Sequence, residues 1–222
     1  WRLLELLDDL ALPAALLVNS EVYAQAPAIP AAFRARGHEI VAHGRTNSES
    51  QADLDEAAER VLIGEATATI AGHEGRPPAG WLGPWIAATR RTPELLVEVG
   101  YRYTLDWCMD DQPVWLRTDA GPLLAVPYPQ EANDSNAIVA RRMGAGAFAD
   151  LIVDTFEEMR AQAEDGPPLV MGIALHPYVT GQPFRIRRLR RALAHLAAAR
   201  EEVLLTRPGA IAARFTDLVP PG

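Results

Sequence analysis

The sequence predicts an α/β fold built on a parallel sheet, either open or closed into a barrel. Three observations carry this. Short apolar runs of about five to eight residues alternate with stretches of helical periodicity along the chain. One run, Leu169-Val170-Met171-Gly172-Ile173-Ala174-Leu175, is apolar throughout, the mark of a strand covered on both faces. The 222 residues contain no internal repeat and no low-complexity tract, which suits one sizeable domain with its own core.

The elements follow in order. Trp1, Leu3, Leu4, Leu7 and Leu10 share one helical face, and Pro13 turns the chain into a short strand at 14–18. A second helical stretch ends at Arg36-Gly37, a stop signal. Residues 38–42 then read as a strand running into His43-Gly44. A long helix is expected over 51–72, with Asp53, Asp55 and Glu56 in its first turns, where the dipole favours them. Pro77-Pro78 leads to a short strand at 79–82. Thr92-Pro93-Glu94 fits a helix start with Thr as N-cap and Pro at the first helical position, and Gly100 ends that helix. A strand at 101–106 and a hairpin-like pair at 114–116 and 123–126 come next. Helices at 144–163, 184–199 and 209–218 and strands at 169–175 and 203–205 complete the pattern. No linker interrupts it, so residues 1–222 are read as a single domain.

Composition excludes several function classes. Lys plus Arg is 21 against 29 Asp plus Glu, a net charge of −8, which argues against a general nucleic-acid binder. All the basic residues are Arg, so a lysine Schiff base or lysine general base has no candidate. No apolar run approaches a membrane span and no secretory signal is visible, which gives the expectation of a cytoplasmic protein without membrane partners. The single cysteine, Cys108, excludes an internal disulfide framework, and no Lys or His neighbours it to activate the thiol. The arginines at 185, 187, 188, 190 and 191 interleave with Ile186, Leu189, Leu193 and Leu196 at helical spacing, and so read as the solvated side of a core helix.

In parallel α/β folds the chemistry lies at the carboxyl ends of the strands. The polar residues there are Asn19 and Glu21; His43, Asn47 and Glu49; Trp81; Asp106, Asp110 and Asp111; Glu131, Asn133 and Asp134; and His176. No Gly-x-Gly-x-x-Gly fingerprint, phosphate loop, Gly-x-Ser-x-Gly elbow or Cys/His pair accompanies them. The set suits hydrolysis of an amide-like bond, with carboxylate and imidazole as base and acid. His176 ends the most apolar run before Pro177 and is an acid–base candidate, with Asp106 and Glu131 as candidate carboxylates. His38, His73 and His195 read as structural, while Trp81 and Trp85 either line a pocket or cap the core.

Several segments resemble motifs of the polysaccharide deacetylase (NodB-homology) superfamily. Gly37-His38-Glu39-Ile40-Val41-Ala42-His43-Gly44 with Thr46-Asn47-Ser48-Glu49 resembles its second motif, and Arg76-Pro77-Pro78-Ala79-Gly80-Trp81-Leu82-Gly83-Pro84 its third. Gly100-Tyr101-Arg102-Tyr103, Asp106-Trp107 and Asp110-Asp111-Gln112-Pro113-Val114-Trp115 are similar to the branch holding metal-independent allantoinases and peptidoglycan-deacetylase-like relatives. Glu131-x-Asn133-Asp134 and Leu175-His176-Pro177 fit that branch, and the similarity runs from about residue 14 to the end.

The resemblance implies an irregular (β/α)7 TIM-like barrel. It implies a hydrolase of non-peptide carbon–nitrogen bonds acting on a small-molecule amide, a cyclic ureide or an N-acetyl sugar, in a homo-oligomer. His176, Asp106 and Glu131 would be catalytic. His43, Asn47, Glu49, Trp81, Trp107, Asn133 and Asp134 would bind substrate. Zinc or another divalent metal would use His43, but Asn47 replaces the second histidine, and the first-strand aspartate pair has no counterpart because Asp8 and Asp9 lie in a helical pattern. The expectation is therefore a chain without its first strand, and the competing reading is a carbohydrate- or ligand-binding relative without catalysis. A glycosidase would need two carboxylates across one bond, which the scattered Asp and Glu permit without requiring.

Overall fold

The computed structural model describes all 222 residues, which form two compact units. One comprises residues 14–126 and 207–222; the other comprises 1–13 and 127–206.

The first unit holds a six-stranded mixed sheet with strands β1 (Ala15–Val18), β2 (Glu39–Ala42), β3 (Gly80–Trp81), β4 (Tyr103–Thr104), β5 (Val114–Thr118) and β6 (Gly121–Ala125). Their order is β1-β2-β3-β4-β6-β5. All neighbours run parallel except the β5–β6 hairpin, which is the pair expected from the sequence. The crossovers contain helices α2 (Val22–Gln25), α3 (Ala28–Ala35), α4 (Glu56–Glu74) and α5 (Thr92–Val99). Helix α4 starts five residues later than the acidic run suggested, because Asp55 caps it by accepting from Ala58 N at 2.9 Å. Residues 51–53 form a separate 3₁₀ turn. Glycines at 75 and 100, both left-handed, end α4 and α5. Thr92 is the first residue of α5 rather than its cap, and its hydroxyl donates to Glu59 instead. The core joins Val18, Leu62, Ile63, Trp81, Leu95, Leu96 and Leu123.

Beyond these, α8 (Pro208–Leu218) is tied to the sheet by its first turn. The Glu39 carboxylate accepts from Gly209 N at 2.9 Å and from the Tyr103 hydroxyl at 2.8 Å.

The second unit is helical, with α1 (Arg2–Asp9), a π-helical turn at Ser135–Ala140, α6 (Ala145–Asp165) and α7 (Pro183–Ala198). Leu6, Phe148, Ile152, Leu189, Leu193 and Leu196 form its core. Arg187, Arg188, Arg190 and Arg191 point outward, as the stripe required. Residues 169–175 do not form the expected buried strand. They make one parallel bridge, Ala174 to Asn133, and are mostly half-buried. Gly172 faces Pro129 so closely that a Cβ would lie 2.7 Å from the ring, and a proline has no N–H to continue a ladder. The apolar side chains are used instead to cover helices, with Met171, Ile173 and Leu175 on the core. Residues 203–205 are likewise not a strand; Val203 and Leu205 pack inward and Leu204 is exposed. No helix is long and apolar enough to cross a membrane.

Candidate functional site

In the helical unit, the Asn133–Ala174 bridge brings Asp134 against His176. Asp134 is fully buried, and four hydrogen bonds end on its carboxylate. His176 N donates to both oxygens, at 3.0 and 2.9 Å. The His176 ring contributes Nδ1 to Oδ1 at 2.6 Å, and the Thr180 hydroxyl donates to Oδ2 at 2.7 Å. An ionised carboxylate only accepts, so Nδ1 carries the hydrogen and the neutral ring keeps its lone pair on Nε2. Pro177 begins a turn in which His176 O accepts from Val179 N and Thr180 N, and this turn returns Thr180 to Asp134. The Tyr178 ring meets His176 edge-on, with centroids 5.7 Å apart. About a third of the His176 side chain is exposed, whereas none of Asp134 is. The pair is thus an accessible imidazole with a fixed tautomer and a buried anion behind it, the arrangement of a proton-transfer group.

Asn133 and Asp134, expected to bind substrate, are both buried. Asn133 Oδ1 accepts from Ser135 N at 3.1 Å and Asn136 N at 3.4 Å, holding the π-helical turn. Glu131 is exposed in the same loop. Thr180 was missed from the sequence; its signal is a hydroxyl four residues after a histidine across a Pro-containing turn.

In the sheet unit, His43 follows β2 and Leu82 follows β3. His43 Nδ1 lies 2.6 Å from Leu82 O, and a carbonyl only accepts, so again Nδ1 carries the hydrogen. Asn19 Nδ2 donates to His43 O and to Asn47 Oδ1, the latter at 3.0 Å. Asn47 O accepts from the Trp85 indole at 2.8 Å. Glu49 is held by Arg45 through two contacts, 3.1 and 2.6 Å long, so an ion pair occupies this candidate.

Asp106 is nearly buried, and both its oxygens are engaged. Oδ1 accepts from Gly83 N at 2.7 Å and Oδ2 from the Thr104 hydroxyl at 3.0 Å. Burial pushes its pKa up to about 7; the two hydrogen bonds oppose that shift and the charge of Glu59 adds to it. Asp106 is therefore turned into the protein. Trp81 is also in the core, 0% exposed, and donates to Gln51 Oε1 at 3.2 Å rather than lining a pocket. Trp107 is partly exposed, and Trp85 is 74% exposed at φ 64°.

Behind them lies a polar network that the sequence reading missed. Glu59 is buried and accepts from Gln51 Nε2 at 2.9 Å, the Thr89 hydroxyl at 2.7 Å and the Thr92 hydroxyl. The signal was present: Glu59 sits on the stripe of Leu62, Ile63, Ala66 and Ile70, where a lone carboxylate needs partners.

The donor set around His43 does not fit a three-ligand metal. The residue four positions on is an amide whose oxygen is bound by Asn19, and no group of three His, Cys, Asp or Glu side chains is placed to hold a metal ion.

No family model matches the chain. A putative polysaccharide deacetylase of Schizosaccharomyces pombe is 24% identical over 216 residues, covering 89% of this chain and 67% of the relative. Among solved structures, Puue allantoinase matches with a TM-score of 0.91 and 28% identity over 100% of this chain and 73% of its own. A probable polysaccharide deacetylase from Pseudomonas aeruginosa PAO1 matches with a TM-score of 0.90 and 27% identity over 100% and 74%.

Proposed function

We propose, from its likeness to a putative polysaccharide deacetylase and to Puue allantoinase, that this chain is a member of the polysaccharide deacetylase superfamily that hydrolyses a non-peptide carbon–nitrogen bond, in an N-acetyl sugar or a cyclic ureide. The observation that carries this reading is the buried Asp134 fixing Nδ1 and the backbone of the accessible His176. Water adds through oxygen to the carbonyl carbon, and His176 Nε2 takes the proton that the water releases. Asp134 stabilises the imidazolium so formed without taking its proton. As the carbon–nitrogen bond breaks, Nε2 returns that proton to the leaving nitrogen. The products are a carboxylic acid and an amine, or the opened ureide, and His176 is regenerated. None of these steps needs a metal from this chain's residues.

The test is turnover of allantoin and of N-acetylglucosamine oligomers by the purified chain and by His176→Ala. Hydrolysis of one substrate is expected, with a loss of about 10²–10⁴-fold in the variant. Full activity in His176→Ala overturns the role of His176. Substrate binding without any turnover by the unaltered chain favours the competing reading of a non-catalytic binding protein, for which Asn47 at the second-histidine position speaks.

A further inference from the structure

We propose that Asp106 is a positioning residue for His43, acting through the single peptide group that joins Leu82 to Gly83. Leu82 O and Gly83 N are the two ends of one planar, resonance-coupled amide. The oxygen accepts from His43 Nδ1 at 2.6 Å, and the nitrogen donates to Asp106 Oδ1 at 2.7 Å. Carboxylate, peptide and imidazole thus form one hydrogen-bonded row. An anion accepting from the N–H draws electron density toward the carbonyl oxygen, which then holds the imidazole hydrogen more strongly. The proton stays on Nδ1, the lone pair stays on Nε2, and the ring plane is set.

The peptide cannot turn away from this alignment. On its N-terminal side, Trp81 is packed in the core and bonded to Gln51. On its C-terminal side, a Cβ on Gly83 would lie 2.3 Å from Gln51 Oε1, so a larger residue would displace the Gln51 amide that Trp81 and Glu59 share. Two other roles fit Asp106 less well. It is not a catalytic residue, because it is 7% exposed and both oxygens are occupied within the unit. It is not needed merely to satisfy Gly83 N, because an asparagine oxygen would do so without burying a carboxylate. What aspartate adds is charge, and charge is what polarises the peptide.

The inference rests on the hydrolase reading only in that His43 is one of the residues the resemblance expects to bind substrate. Its test is made on the substrate-free protein, so either idea can fail without the other. The full chain is ¹⁵N-labelled and the His43 ring is recorded by nitrogen–proton correlation at about pH 8.5, where imidazole is neutral. The unaltered protein should show the Nδ1–H tautomer. In Asp106→Asn the Gly83 amide proton and the His43 Nδ1 proton should both move upfield. In Thr104→Val, recorded at about pH 9.5 so that Asp106 stays charged after losing its other partner, both should move downfield. Opposite shifts in the two variants are not what a merely structural role produces, and Thr104→Ala replaces Thr104→Val if the latter does not fold. An Nε2–H tautomer in the unaltered protein overturns the proposal. So does a Gly83 shift with the His43 proton unmoved.

Discussion

Asp134 holds His176 twice, at the ring nitrogen and at the backbone amide, so one buried carboxylate fixes both where the imidazole stands and which nitrogen carries its proton. Removing the charge and removing the acceptor should therefore have different effects. Asp134→Asn keeps the shape and presents an amide that can donate, which disturbs the Nδ1–H tautomer. We expect a folded protein with kcat reduced about 10²–10⁴-fold. Asp134→Ala leaves His176 N, His176 Nδ1 and the Thr180 hydroxyl without their acceptor, and about 3–5 kcal/mol of stability should be lost. Urea unfolding beside steady-state kinetics distinguishes the two; equal stability of both variants would contradict the buried-acceptor account.

The second prediction concerns pH. Asp106 titrates near 3.8 in its ordinary state and is pushed up to about 7 in the fold by burial. Below about pH 4 both folded and unfolded chains hold the proton, so the group leaves stability unchanged. Between the two values the unfolded chain releases it first, so stability falls as pH rises. The penalty levels off above about pH 7 at on the order of 4 kcal/mol. Asp106→Asn removes this slope. The difference in stability between the unaltered protein and the variant should therefore shift in the variant's favour from about pH 5 to about pH 8. A constant difference across that range would mean that the carboxyl is not desolvated as its burial indicates.

Gly80 and Tyr103 are paired on β3 and β4, and the ring fills the space over the glycine. A Cβ at 80 would lie 2.0 Å from the ring carbon that bears the hydroxyl. Tyr103 is fully buried and cannot move without releasing Glu39, which also holds the first turn of α8. Gly80→Ala should cost about 3 kcal/mol or more by overpacking. Adding Tyr103→Leu should recover part of that loss, a coupling of about 0.5–3 kcal/mol. Strict additivity in thermal unfolding would refute the close approach.

These cases show what a single sequence carries. Helix ends were legible where their signals are local: Gly37 and Gly100 each declare a backbone shape. The His176 motif was legible for the same reason, since imidazole followed by proline at the end of an apolar run limits the choices. The partners of these residues were less so. Nothing near Gly83 says that Asp106, 23 residues on, will bind its amide, and only the tertiary path brings them together. Residues 169–175 misled because apolar content reports burial, whereas a ladder also needs a facing backbone with free donors, and Pro129 stands opposite. The place of Asp106 and Trp81 at strand ends locates a region without saying which way a side chain points, and both side chains are buried.

The last prediction concerns the turn after β3. Trp85 and Ile86 both have positive φ, at 64° and 56°, a left-handed conformation that costs a non-glycine residue about 1–2 kcal/mol. Trp85 is also 74% exposed, so its ring returns little by burial, and its indole donates to Asn47 O. Trp85→Gly relieves the backbone, while it gives up that bond and adds chain entropy to the unfolded state, about 0.5–1 kcal/mol each. The two sides nearly cancel, so thermal stability should stay within about 1 kcal/mol of the unaltered protein. If the indole instead contacts substrate in the hydrolysis proposed above, KM should rise in the same variant while the midpoint of unfolding holds. A loss of stability much larger than this would show that the ring is a packing element and that the turn is not strained.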